Sequence, residues 1–296
     1  MRWRLLAVLI AAAPLLHGAD ARRRPAASHP WAVATVERVF VVILENTDAA
    51  VAERLPFISQ LAAGGAILLN YHALTHPSQP NYIALVSGST QGVSGSEAVT
   101  IDAQHLGDLL ERNGKIWKVY AEQYPGNCFL DISSGSVADG QYVRRHVPFL
   151  SFRNVQHDLA RCTAHVVNAG ALDADIAAGS LPAFSLYIPD NQHNGHDSSA
   201  LTADAWLRSR FAPLLDDPRF MAGTLFIVTY DESVQPNDHR VTTVFRGSMV
   251  RPGVASFDRY NHFDLLRTIE NLLGLGTLGQ FDAAARPIAG VWKLLD

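Results

Sequence analysis

Cysteine is nearly absent: Cys128 and Cys162 are the only two in 296 residues. No zinc–thiolate cluster can be built from them, and at most one disulfide. Basic charge is also short, with 24 Lys and Arg against 28 Asp and Glu and a formal net charge of −4. Nonspecific nucleic-acid binding therefore lacks its electrostatic footprint. The hydrophobic share of 48% excludes a disordered chain, and the mixture of polar residues excludes a polytopic membrane protein. After Leu16 no uninterrupted apolar run is long enough to span a bilayer.

Several sequence motifs are missing as well. No serine sits in a G-x-S-x-G elbow; Gly88-Ser89-Thr90-Gln91-Gly92 comes closest, with threonine at the centre. There is no H-E-x-x-H and no Walker-type phosphate loop. Gly274-Leu275-Gly276-Thr277-Leu278-Gly279 matches G-x-G-x-x-G, yet it follows a helical pattern where dinucleotide binding needs a preceding strand. It reads as a helix C-cap with a loop.

What is present begins with an address. Arg2 and Arg4 precede an apolar stretch from Leu5 to Leu16, and Ala19-Asp20-Ala21 supplies an A-x-A cleavage pattern. Residues 1–21 are thus expected to be a signal peptide, leaving a secreted or periplasmic protein with no integral membrane segment. Residues 22–296 read as a single domain, with 22–35 a loose lead-in. In an oxidising compartment Cys128 and Cys162 are expected to pair, closing a loop worth roughly 4 kcal/mol by chain entropy. Residues 121–165 show little regular patterning and read as an insertion tied by that pair.

Short apolar runs at Val39–Leu44, Ala66–Leu69, Ile116–Tyr120, Phe184–Ile188, Leu225–Tyr230 and Val241–Phe245 read as strands. Amphipathic stretches alternate with them, at Leu55/Ile58/Leu61, Leu106/Leu109/Leu110 and Phe263/Leu266/Ile269/Leu272/Leu273. Such alternation implies an α/β fold with a mostly parallel sheet covered on both faces. In open α/β sheets ligands bind beyond the carboxyl ends of the strands, and four such ends are polar. Leu44 is followed by Glu45-Asn46, and the strand near Ile67 leads through Thr75 and His76 to Ser78 and Asn81. Ile188 leads into Asp190, His193, His196 and Asp197, and Tyr230 is followed by Asp231-Glu232.

Converging on one rim, these acids, the amide, the histidines and the hydroxyl suit a hard or borderline divalent cation. Ser78 is the candidate nucleophile. Pro80 places it at or beside a helix N-cap, where the dipole and free amides favour negative charge. A serine there is also an ordinary cap; its position beside two acid pairs argues for chemistry.

Together, Glu45-Asn46, Thr75–Asn81 with its run to Ser87-Gly88, Tyr187–Asp197, Thr229–Glu232 and Tyr260–Leu275 resemble the bacterial phosphoesterase family. That family holds the metal-dependent acid phosphatases and phosphocholine-type phospholipases C, within the alkaline phosphatase superfamily. The resemblance covers about residues 38–275. It implies a three-layer α/β/α sandwich, alkaline-phosphatase-like, and transient phosphorylation of Ser78 during hydrolysis of a small phosphate ester or a phospholipid. By the same resemblance Glu45, Asn46, Asp231 and Glu232 hold the metal. Asp190 and His196 match a loop that binds a second ion in related enzymes, and His239 sits where another histidine ligand is common. Asn81 contacts the phosphoryl group, His193 contacts substrate, and His196 is the expected proton donor. His262 and His146 carry no assigned role. The first strand ends in Glu-Asn where much of the superfamily has Asp, and the later pair is Asp-Glu in place of Asp-His. These departures favour one divalent ion (Zn, Ca, Mg or Mn) over a dizinc site. A phosphodiesterase on the same scaffold and a non-catalytic exported phosphate-binding protein are the rival readings.

Overall fold

The computed structural model describes residues 35–294; the expected signal peptide lies outside them. The strands form where β-branched and aromatic residues cluster. They are β1 (Arg38–Leu44), β2 (Ala66–His72), β3 (Trp117–Ala121), β4 (Ser133–Ser136), β5 (Gly140–Val143) and β6 (Val166–Asn168). The second half of the chain adds β7 (Phe184–Ile188), β8 (Thr224–Tyr230), β9 (Arg240–Arg246), β10 (Val254–Ser256) and β11 (Tyr260–Asn261). Nine of them make one sheet in the order β10–β2–β9–β8–β1–β7–β3–β6, with β11 also beside β2.

Neighbouring strands run parallel except at β9, which is antiparallel to both β2 and β8. Only residues 231–239 separate β8 from β9. A link that short makes a hairpin, because a parallel return needs a crossover of a dozen residues or more. Successive strand residues point to opposite faces, and in both β1 and β8 nearly every one is buried. Both faces of the sheet are therefore covered, as near-continuous apolar strands require. The principal helices are α1 (Pro56–Gly64), α2 (Ser78–Ser87), α3 (Leu106–Arg112), α4 (Ala200–Leu215) and α5 (His262–Leu273).

Residues 121–165 are more regular than their patterning indicates. They hold the β4–β5 hairpin, 3-10 turns at Arg144–His146 and Pro148–Ser151, and short helices at Arg153–Gln156 and Leu159–His165. Phe149 and Phe152 are fully buried, and the Phe149 ring lies 4.3 Å from that of Trp117, so this part belongs to the main core. Cys128 and Cys162 form a disulfide with their Cα atoms 5.6 Å apart.

The glycine run after α5 is a cap and loop. Gly274 ends the helix in the left-handed region at φ 68°, and the amides of Leu278 and Gln280 donate to Asp282. Beneath this loop Glu270 is fully buried, with neither carboxylate oxygen receiving a hydrogen bond. Burial, and then Asp282, push its pKa up from 4.5 to about 9. An acid with a raised folded-state pKa contributes fully below its unfolded value, and that contribution is lost as pH rises towards about 9. Glu270→Gln should therefore raise Tm at pH 8 by roughly 3–6 °C and change it little near pH 4.5. Scanning fluorimetry across that range checks this; an increment independent of pH would exclude titration of Glu270 as its source.

Candidate active site

Because β2, β8, β1, β7 and β3 are mutually parallel, their carboxyl ends share one rim, and the antiparallel β9 brings its first residues there. Across the rim in sheet order stand the β2–α2 loop with Ser78, His239 before β9, Asp231-Glu232 after β8 and Glu45-Asn46 after β1. Asp190 after β7 and Glu122 after β3 complete the row.

Pro77 is the extended cap residue and Ser78 the first residue of α2, one place further in than an N-cap. Its hydroxyl lies 3.0 Å from Glu232 Oε1 and 3.2 Å from Glu45 Oε2, so it donates between two buried carboxylates. Glu45 also accepts from the Tyr82 hydroxyl and has His146 Nε2 3.3 Å from Oε1. The His146 ring is stacked on Tyr82 at 5.3 Å. Asn46 donates to Glu232 Oε1 at 3.1 Å, and His76 Nδ1 lies 2.7 Å from Glu232 Oε2. Backbone bonds lock the strand ends together: Asp231 N donates to the Leu44 carbonyl, Thr47 N to that of Glu232 and Glu45 N to that of Asn194.

Asp231 is 1% exposed and neither of its carboxylate oxygens receives a hydrogen bond. Burial raises its pKa well above the usual carboxylate range, and the nearby Glu45 and Glu232 add to the shift. Burial likewise raises Glu45, with Tyr82, His196 and Arg145 pulling it back. Asn46 Oδ1 is a further buried acceptor without a donor. Three buried acids around one hydroxyl, with orphaned oxygens among them, form the donor set of a hard divalent cation and fit one chemically.

His262 works from behind. Its Nε2 donates to the Asp231 carbonyl at 2.9 Å, so Nδ1 accepts from the Tyr71 hydroxyl, also at 2.9 Å. Burial lowers its pKa to about 4, and it holds the Asp231 backbone as a neutral ring. His239 lies with its ring 5.0 Å from that of His76 and its Nδ1 buried without a partner. It borders the acids through His76, and no direct contact with them is formed. Asn81 is 1% exposed and turns back onto its own loop: its Oδ1 accepts from the amides of Leu74 and Thr75, and its Nδ2 donates to the carbonyls of Thr75 and Pro77. All its bonding capacity goes to shaping the loop before Ser78, and none is left for the expected contact with a phosphoryl oxygen.

His196 Nδ1 lies 2.6 Å from Asp197 Oδ1, a pair that orients the ring, and its Nε2 faces Arg145 at 3.4 Å. The His196 and His146 rings are 6.2 Å apart, which brings His196 to the edge of the Glu45 site. Asp190 and His193 lie elsewhere. They join Glu122, and the three offer ligand atoms all within 4.8 Å of one another, a spacing a metal ion can bridge. Glu45, Asp231 and Glu232 do not close that tightly. His193 Nδ1 lies 2.6 Å from Glu122 Oε2 and 3.3 Å from Asp190 Oδ2, and these partners raise its pKa to about 10.

Sequence reasoning missed Glu122, Tyr82, Arg145 and the placement of His146, and it set His76 on the approach to Ser78 without giving it a partner. Glu122 follows strand β3 directly, so the rule that located Glu45 and Asp231 could have found it. Arg145 and His146 arrive on a 3-10 turn without periodicity, and nothing local marks them.

Among the described residues no helix is long and apolar enough to cross a membrane. The chain matches the model of the Phosphoesterase family over residues 48–276. It is 32% identical over 290 residues to a phosphatidylinositol-3-phosphatase of Mycobacterium tuberculosis, covering 97% of this chain and 90% of that one. It is 31% identical over 260 residues to a probable acid phosphatase of Kluyveromyces lactis, covering 85% of this chain but 62% of the yeast protein. The chain thus spans less than two thirds of that fungal relative. A protein in the alkaline phosphatase superfamily from Vibrio parahaemolyticus superposes with a TM-score of 0.61 at 13% identity, over 87% of this chain and 71% of that one. A phosphonate monoester hydrolase from Silicibacter pomeroyi gives 0.55 at 12% identity, over 85% and 77%. Both share the α/β fold with its mostly parallel sheet, and the family match covers most of the chain: this protein belongs to the phosphoesterase family.

Proposed function

We propose that the protein is an exported, metal-dependent phosphatase that hydrolyses phosphomonoesters through a phosphoserine on Ser78. The observation that carries this reading is the Ser78 hydroxyl held between Glu45 and Glu232, beside an Asp231 carboxylate with no donor. Glu45, Asn46, Asp231 and Glu232 would hold the cation, which supplies charge neutralisation to the phosphoryl group and acidity to the serine. Ser78 Oγ attacks phosphorus as its proton passes to an adjacent carboxylate, the ester P–O bond breaks, and the alcohol departs with a proton from His196. Water, giving a proton to His196, then attacks phosphorus; the Ser78–phosphate bond breaks and the proton held by the carboxylate returns to the serine oxygen. Asp197 keeps His196 oriented, and Arg145 supplies positive charge where the substrate dianion enters. The names of the relatives support a monoester: both the mycobacterial and the yeast protein are called phosphatases. Export is supported by the charge and apolar pattern of residues 1–21 and suits the disulfide.

The test is a substrate panel of p-nitrophenyl phosphate, its bis-ester and phosphorylcholine esters, each with and without chelator. Turnover of the monoester, abolished by chelator and restored by one of Zn2+, Ca2+, Mg2+ or Mn2+, is the expected result. Preference for the bis-ester or the phosphorylcholine esters would replace the reading with a phosphodiesterase or phospholipase C. No turnover with any metal would leave a phosphate-binding protein.

A further inference from the structure

We propose that Glu122, Asp190 and His193 form a second divalent-cation site, which clamps the loop 190–197 onto the end of β3 and thereby sets the position of His196.

None of the three touches Ser78, Glu45, Asp231 or Glu232, and they stand over β7 and β3 while the serine cluster lies over β8 and β1. With strands about 4.8 Å apart, that places the two groups roughly 10 Å from each other, too far to share an ion. Two carboxylates and one imidazole whose ligand atoms already lie within 4.8 Å match a borderline ion such as Zn2+ or Mn2+. Asp190 is 2% exposed and its Oδ2, inside the triad, receives no hydrogen bond.

The supporting contacts are complete, as they are around built metal sites. Tyr187 donates to Glu122 Oε1 at 2.9 Å, and the Asp190 amide donates to Glu122 Oε2 at 3.1 Å. The amides of Gln192 and His193 both donate to Asp190 Oδ1 at 3.0 Å. Trp206 stacks on the His193 ring at 5.1 Å. A Cβ at Gly140 would fall 2.3 Å from Asp190 Oδ2, so the cradle requires glycine there, at φ +92°. A cleft of about 380 Å³ opens beside the triad and gives water access for the remaining coordination positions.

The loop carries the effect. Asn194 N donates to the Asp190 carbonyl, Asp197 N to that of Asn191, and His196 N to the Asn194 side chain. The segment from the ligands to the His196–Asp197 pair is one hydrogen-bonded unit. An ion gripping its start fixes its end.

The role towards His196 rests on the phosphatase reading; the cation site does not. The experiment loads the purified full chain with Zn2+ or Mn2+, removes excess by dialysis, and counts metal by mass spectrometry in wild type, Glu122→Gln, His193→Gln and Asp231→Asn. Two equivalents are expected in wild type, and one in each variant. In Glu122→Gln the Zn2+-induced rise in Tm should shrink, and kcat should fall about tenfold at unchanged KM. The conservative Glu122→Asp should recover part of both. An equivalent count in Glu122→Gln and His193→Gln equal to wild type would overturn the proposal, leaving His193 as a protonated link between two acids. An ester-inactive wild type that still loses one equivalent in Glu122→Gln would sink the phosphatase reading and keep this site.

Discussion

Ser78→Ala should lower turnover of p-nitrophenyl phosphate by about four orders of magnitude while the fold and its Tm stay near wild type. The hydroxyl is the attacking atom in the proposed sequence, and no other described hydroxyl is held between Glu45 and Glu232. Alanine suits the first turn of a helix, and the Ser78 hydroxyl bonds to Glu45 and Glu232 and not to the backbone of α2, so little stability is lost. Removing its donor leaves two buried carboxylates with one partner fewer each, yet Glu45 retains Tyr82 and Glu232 retains Asn46. Rapid-quench measurement with a labelled monoester should trap phosphate on wild type and none on the variant. A variant within tenfold of wild type would end the phosphoserine route.

Asp231→Asn should act on activity and stability in opposite directions. Turnover should fall at least a thousandfold, because the proposed cation loses one of its buried carboxylate ligands. In metal-stripped protein the same change should raise Tm by several degrees at pH 8. Burial and the adjacent Glu45 and Glu232 hold the Asp231 pKa well above its usual 3.8, so the folded state loses stability as pH rises from that value through the raised one. Asparagine abolishes that loss. The melting curves of wild type and variant, each recorded with chelator from pH 4 to 8, separate most at the alkaline end. A stripped Asp231→Asn protein that melts below stripped wild type would show that the carboxylate is not held against its solvation.

Glu45-Asn46, Ser78 and Asp231-Glu232 were legible as one spatial cluster because each ends, or follows, an apolar run, and parallel strands send their ends to one rim. The sheet itself was legible for the same reason: strands buried on both faces leave few polar interruptions. The reversal of β9 was not, since a buried strand has the same composition in either direction and only the nine residues of its connection betray the hairpin. The make-up of the second group escaped: the resemblance paired Asp190 with His196, and only the position of β3 draws Asp190 and His193 towards Glu122. Asn81 looked like a ligand contact from its place after Ser78. Its side chain turns back onto residues 74–77, a choice made by unpaired backbone amides that no spacing records.

The reversal of β9 also leaves one segment open to redesign. The β8–β9 turn stands at the mouth of the serine cluster, and its middle residues, Val234 to Asp238, are all exposed. Both ends are anchored, Asp231-Glu232 in the cluster and His239 against His76, while the span between them contributes nothing to the sheet. Lengthening or recolouring that span would reshape the entrance without disturbing Ser78. On the phosphatase reading, a library built on those five positions is therefore the economical place to evolve leaving-group selectivity.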